Sequence, residues 1–287
     1  MKYNILLLWL FSAAIGFSQY PYRNTIGTNA IETNPALTGF MGKGELNFNR
    51  KRTWHQFLDW YNINYHSHLK KLNSGIGFSY TNQTRGETKL YITTVSYAYQ
   101  TNLSKKMVLS AGVSGTIQDF RNLNIFDGFQ PKQTDTVKFY TINSGVVLSH
   151  HKFFLSLGLN SILIRHKRAP IFRTIFGYRF KLGAEKNIAL IPTLTYLREG
   201  FNAKMGIRMH TNYKKLKTLV GYSNQQIAEV GIGFEFKRII LRYQVNYDFY
   251  GYYQSFKPNA FTHLFNLQLK LPKHIDRSSK AFDFSLF

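Results

Sequence analysis

Ile239–Phe249 reads I-I-L-R-Y-Q-V-N-Y-D-F, and its two parities differ in kind. Ile239, Leu241, Tyr243, Val245, Tyr247 and Phe249 share one parity; Arg242, Gln244, Asn246 and Asp248 share the other. A β-strand sends successive side chains to opposite faces, so this segment has an apolar wall and a polar wall. Its length suits a tilted transmembrane strand, which needs roughly 9–11 residues to cross a bilayer core.

The pattern recurs. Phe201, Ala203, Met205, Ile207 and Met209 oppose Asn202, Lys204, Gly206, Arg208 and His210; Phe172, Phe176, Tyr178, Phe180 and Leu182 oppose Arg173, Gly177, Arg179 and Lys181. From Gly44 to Leu271 such segments follow one another, which predicts an all-β chain: a transmembrane antiparallel β-barrel of about 14 strands, an even number as bacterial single-chain barrels have. Connection lengths sort with this. Lys51–Leu58, Thr81–Lys89, Asp119–Asp135, Ile164–Pro170 and Tyr250–Ala260 are expected to be outside loops. Asn102–Lys105, Ser149–Lys152, Gly183–Lys186 and Lys237-Arg238 are expected to be short periplasmic turns. Arg198–Gly200 and Ser223–Gln226 are short outside connections that would lower one side of the rim. Trp54, Trp60, Tyr97, Tyr99, Tyr222 and Tyr252 sit near strand ends, where interfacial aromatic girdles lie.

Composition agrees with alternation. The chain of 287 residues is rich in Phe and Tyr (25 and 19) and poor in Pro (7). Its mean hydropathy of −0.25 is an average over apolar and polar faces. No apolar run reaches the roughly 18 residues of a helical span. At the start, Lys2, the apolar run Ile5–Phe17 and the small residues near Ser18 have the form of a signal peptide over 1–18, leaving Gln19 first. Residues 19–43 do not alternate and are expected to form an irregular plug or hatch-like segment; 44–271 is the barrel and 272–287 a basic, polar tail. With no cysteine, an exported chain has no disulfide staple and needs a large core or a closed barrel.

The net charge of +23 would suit nucleic acid, but an exported chain rarely meets it and the basic residues here are scattered rather than striped, so no nucleic-acid partner is expected. Cations in turns and on an inward wall would instead meet outer-membrane lipid or an acidic protein. On parity, Arg173, Arg179, Lys181, Lys204, Arg208, Arg242 and Lys270 line the lumen, with Asp248 among them as an ion-pairing carboxylate.

The order of short motifs resembles a known family. S-Q-Y (Ser18–Tyr20) is followed by T-N-P-A-L-T-G (Thr33–Gly39), Lys51-Arg52-x-Trp54, G-I-G-F (Gly75–Phe78) and Arg85-Gly86. S-Y-A-Y (Ser96–Tyr99) then leads through Leu103-Ser104 to V-L-S-A-G-V (Val108–Val113), and N-Y-D-F (Asn246–Phe249) comes near the end. This resembles the PorP/SprF family of outer-membrane proteins associated with type IX secretion in Bacteroidota. The resemblance implies a barrel in the cell outer membrane that works with type IX secretion components. It also implies support for secretion, surface anchoring or gliding through the C-terminal domain of a large secreted protein. The Asn-Pro-Ala element also looks like the N-terminal hatch of long-chain fatty-acid-transporter barrels, which implies, alternatively, passive transport of hydrophobic or anionic small molecules.

Site chemistry is sparse. Asn34, Pro35, Ala36 and Gly39 form either a plug-anchoring turn or an ordinary N-terminal turn, since Pro fixes φ and restrains the residue before it. Gly75-x-Gly77 and Gly231-x-Gly233 lie inside strands, where Gly permits close backbone approach or a bend rather than phosphate binding. His66-x-His68 and His150-His151 lack accompanying Cys or a carboxylate cluster, so exposed loop or rim histidines are expected and no metal or other cofactor. No local nucleophile–base signature marks a catalytic residue, and no enzyme is expected.

Overall fold

The computed structural model describes residues 34–40, 44–53, 58–85, 88–122, 126–127, 130–131, 136–162, 170–183, 188–200, 202–249 and 260–271. The segments 1–18 and 272–287 lie outside them, as do 19–33 and most of the outside loop 250–260.

Fourteen antiparallel strands close into a barrel. The first seven are β1 (Glu45–Thr53), β2 (Leu58–Leu69), β3 (Ser74–Arg85), β4 (Thr88–Ser104), β5 (Met107–Asn122), β6 (Thr136–His150) and β7 (Phe153–Ile162). The eighth, β8, runs as Ile171–Tyr178 and Phe180–Leu182, broken at Arg179. Then come β9 (Ile188–Glu199), β10 (Asn202–Tyr213), β11 (Leu216–Ser223), β12 (Ile227–Phe236), β13 (Ile239–Asp248) and β14 (Ala260–Lys270). Each pairs with its sequence neighbours, and β1 pairs with β14, Glu45 opposite Lys270 and Thr53 opposite Thr262. Closure leaves no edge strand, which is what a bilayer demands of a sheet.

The opening stretch is β13. Ile239 and Leu241 face outward and exposed, whereas Asn246 is buried and Arg242 and Gln244 are half-buried. The same parity holds round the barrel. Phe78, Tyr97, Val113, Phe176, Ile207, Val220 and Phe265 stand exposed on the outside, a continuous apolar belt that only lipid can cover.

Strand ends depart from expectation where polarity hides them. Thr81–Lys89 is not a long loop: β3 continues to Arg85 and β4 restarts at Thr88. Beyond the bilayer the outward residues need not be apolar, so the ladder continues after alternation stops. For the same reason β5 extends to Asn122, and Asp119–Asp135 contains a further short pairing, Phe126–Asp127 with Gln130–Pro131. Trp60 is not a girdle residue. It shares parity with Asn62 and Asn64 and is buried inside, while Tyr97, Tyr99 and Tyr222 do face outward. Trp54 and Tyr252 lie outside the described residues.

Turns on the rim that bears both strand termini are tight. β4–β5 use only Lys105-Lys106, β10–β11 Lys214-Lys215 and β12–β13 Lys237-Arg238. This is the periplasmic rim, since outer-membrane barrels keep their short turns there.

Candidate functional site in the barrel lumen

Asn34–Phe40 lies inside the barrel at the periplasmic end. Pro35–Leu37 forms one 3-10 turn, with Pro at its first position and Asn34 as N-cap; Asn34 Oδ1 accepts from the Ala36 amide at 2.9 Å. Pro supplies the required φ and lacks a donor that would otherwise be stranded. Asn34, Ala36 and Thr38 are essentially inaccessible.

The wall meets this segment atom by atom. Asn34 Nδ2 donates to Ser156 Oγ (2.8 Å), to the Leu157 carbonyl (2.9 Å) and to the Val146 carbonyl (3.3 Å). Ser110 Oγ donates to the Ala36 carbonyl at 2.6 Å, and Thr38 Oγ1 donates to Ser96 Oγ at 2.9 Å. Gln100 Nε2 donates to the carbonyls of Thr38 and Gly39 at 3.3 and 3.0 Å. The Gly39 amide donates to His66 Nδ1 at 3.2 Å, and His66 Nε2 lies 3.5 Å from Glu45. Buried backbone polar groups must be paired, and here inward side chains of β2–β7 pair them. Leu37 and Phe40 add an apolar contact with Val108 and Val147, each such burial contributing roughly 1.5–3 kcal/mol.

Three wall glycines make room. A β-carbon on Gly75 would stand 2.0 Å from the Thr38 carbonyl oxygen, and one on Gly112 2.5 Å from the Ala36 nitrogen. One on Gly145 would stand 1.9 Å from Asn34 Oδ1. Gly39 itself has φ +58, a left-handed conformation that suits glycine, and faces Ser67 and Gly75. Asn34-Pro35-Ala36 is thus a turn hydrogen-bonded to the inner wall of the barrel, and Gly75 allows the close approach of its backbone to that of Thr38. His66 is not an exposed rim histidine: it is buried by polarity-matched contacts to Gly39 and Glu45.

The opposite wall, β8–β14, is charged. Arg208 is buried and grips Glu229 with two hydrogen bonds, Nε to Oε2 at 2.6 Å and Nη2 to Oε1 at 2.8 Å. Both residues pair with Gly221 in the intervening strand, whose missing side chain lets them meet. Glu235 joins Lys217 (3.0 Å) and Lys270. Arg242 Nη1 donates to Asn266 Oδ1 at 2.9 Å. Arg173, Arg179 and Lys204 are half-buried on the same inward parity. Lys181 keeps the inward parity but is exposed, because it lies at the periplasmic rim one residue before β8 ends. The side chain of Asp248 lies outside the described set.

An amide ladder crosses the seam where the barrel closes. Asn266 Nδ2 donates to Asn49 Oδ1 (2.6 Å), Asn49 Nδ2 to Asn62 Oδ1 (2.9 Å), and Asn62 Nδ2 to Thr81 Oγ1 (2.8 Å). Sequence reasoning passed over these residues, although the inward Asn of Asn47-Phe48-Asn49 and Asn62-Ile63-Asn64 alternate as clearly as any apolar pattern. Among the described residues no group of His, Asp and Glu is arranged to hold a metal.

Comparison with known proteins fits this architecture. CymD, a monoaromatic hydrocarbon channel, superposes with a TM-score of 0.56 at 9% identity, covering 92% of this chain and 97% of its own. The P. putida toluene transporter TodX gives 0.56 at 9% identity, covering 92% and 98%. CdiB from Acinetobacter baumannii gives 0.44 at 8% identity; 80% of this chain is covered, spanning 60% of CdiB. No curated protein matches by sequence. Residues 15–267 match the sequence pattern of the type IX secretion system membrane protein PorP/SprF. A closed barrel with an apolar belt and a match over nearly its whole length make this chain an outer-membrane protein that belongs to the PorP/SprF family.

Proposed function

We propose that this barrel supports type IX secretion, or the surface anchoring of a large secreted adhesin or gliding protein, by binding that protein's C-terminal domain. Family membership supports a place beside type IX secretion components. The observation that carries the finer role is Asn34–Phe40, hydrogen-bonded across β2–β7 at the periplasmic end of the lumen. An anchor needs a rigid lumen rather than an open one, and the cation-bearing wall facing the plug offers charge to an acidic partner surface. The role is non-catalytic. Cross-linking in the outer membrane followed by purification of the tagged barrel should recover a secreted protein's C-terminal domain. Recovery of the barrel alone, with surface adhesins unaffected by its deletion, would overturn the proposal.

The barrel likeness to CymD and TodX favours a second role, a passive channel for hydrophobic or anionic small molecules. That role requires the plug to move. Liposomes carrying the protein would then take up such solutes, whereas an anchoring barrel leaves them tight.

A further inference from the structure

The two rims of the barrel differ in charge. On the outer rim cations sit beside acids: Arg50 pairs with Asp59 at 3.4 Å and Arg121 with Asp119 at 3.0 Å. The periplasmic turns carry Lys70-Lys71, Lys105-Lys106, His151-Lys152, Lys214-Lys215 and Lys237-Arg238, and no acid among their described residues. These turns encircle the mouth. Lys214 and Lys237 hold left-handed backbone, φ 51 and 50, in tight hairpin positions that favour Asn or Gly. Turn geometry therefore does not account for lysine there.

Directly membrane-ward of the cations stand exposed Tyr99, Leu103, Tyr213, Phe236 and Ile239. Lys214 Nζ lies over the Tyr213 ring, 5.4 Å from its centroid, so this cation folds along the outward face rather than toward the lumen axis. The densest sector joins Lys106, His150, His151 and Lys152 through the pairing of Met107 with His150. The His151 and His150 rings meet there at 2.9 Å (Nδ1 to Nε2), and Lys181 completes the sector. An apolar and aromatic belt capped by cations at five of the six periplasmic turns is the arrangement that meets lipid headgroups. A protein partner would call for a patch on one side.

We propose that the periplasmic rim is a binding ring for anionic phospholipid headgroups, with its strongest point at Lys106, His151, Lys152 and Lys181. The test is native mass spectrometry of the full-length barrel extracted from vesicles of phosphatidylcholine mixed with phosphatidylglycerol. The wild type should retain phosphatidylglycerol preferentially. The quintuple variant K105Q, K106Q, K152Q, K214N and K237N should lose that preference by roughly an order of magnitude. Asn suits the left-handed positions, so K214N with K237N alone should keep or raise barrel stability in urea while weakening lipid retention. That double variant separates recognition from folding. Outer-rim variants R52Q and K138Q should leave retention unchanged. Equal retention of the two lipids by the wild type, or a preference that survives the rim substitutions, would overturn the proposal. So would salt-sensitive binding of polyglutamate in place of any lipid preference, which would assign the ring to an acidic protein.

Discussion

The carbonyl oxygen of Thr38 lies 2.0 Å from the point a β-carbon on Gly75 would occupy, so plug backbone and wall backbone are in direct contact. Gly75→Val and Gly112→Val are expected to evict the plug while leaving the barrel closed, because valine suits a strand. Overpacking of this kind costs about 1–3 kcal/mol. Limited proteolysis should cut the N-terminal segment faster in both variants. Gly115→Val serves as the control, since a β-carbon there meets nothing within 4 Å.

Asn34 anchors the plug through Nδ2, which faces two carbonyls and a hydroxyl. Asn34→Ala removes these bonds and leaves the buried Ala36 amide without its cap, at about 1–3 kcal/mol. Asn34→Asp should loosen the plug further at neutral pH, because a carboxylate would face the Val146 and Leu157 carbonyls. The ordering wild type, Ala, Asp in protease sensitivity checks this; equal behaviour of Asp and wild type refutes it.

Arg208 and Glu229 meet through the space above Gly221. Breaking a buried pair on one side is expected to cost about 3–5 kcal/mol, while replacing both partners costs much less. Urea unfolding of Arg208→Met, Glu229→Met and the double variant in lipid vesicles should therefore be strongly non-additive. Additive losses would show that the two side chains act independently.

Asn266 links Arg242 to Asn49 across the β14–β1 seam. Asn266→Leu removes both bonds and should lower resistance to urea by about 1–3 kcal/mol, with the heat-modifiable gel shift moving to lower temperature. A substitution at Asn47, whose amide donates to Asn64 within the β1–β2 pair, should cost less.

His151 titrates below the ordinary histidine value of 6.5, chiefly because its turn desolvates it, with His150, Lys106, Lys152 and Lys181 adding repulsion. Neutral imidazole is thus favoured in the folded turn. The unfolded chain binds the proton more readily, so folded-state stability falls as pH drops through 6.5. An NMR titration of the His151 ring should give a midpoint below that value, and Lys152→Gln should raise it.

Sequence alone determined the barrel. The parities of Ile239–Asp248 and Asn202–Tyr213 follow from the two-residue period of an unbroken strand. The strand ends at Arg85 and Asn122 were hidden, because alternation disappears once a strand leaves the bilayer while its hydrogen bonds continue. Local sequence also could not say which wall receives Asn34-Pro35-Ala36. His66, Gln100, Ser110 and Ser156 converge on the plug across 91 positions of chain only because closure brings β2 to β7 around it. The Arg208–Glu229 pair likewise depends on register, which places Gly221 between them. Alternation tells a side chain to face inward; only the closed barrel decides what it meets there.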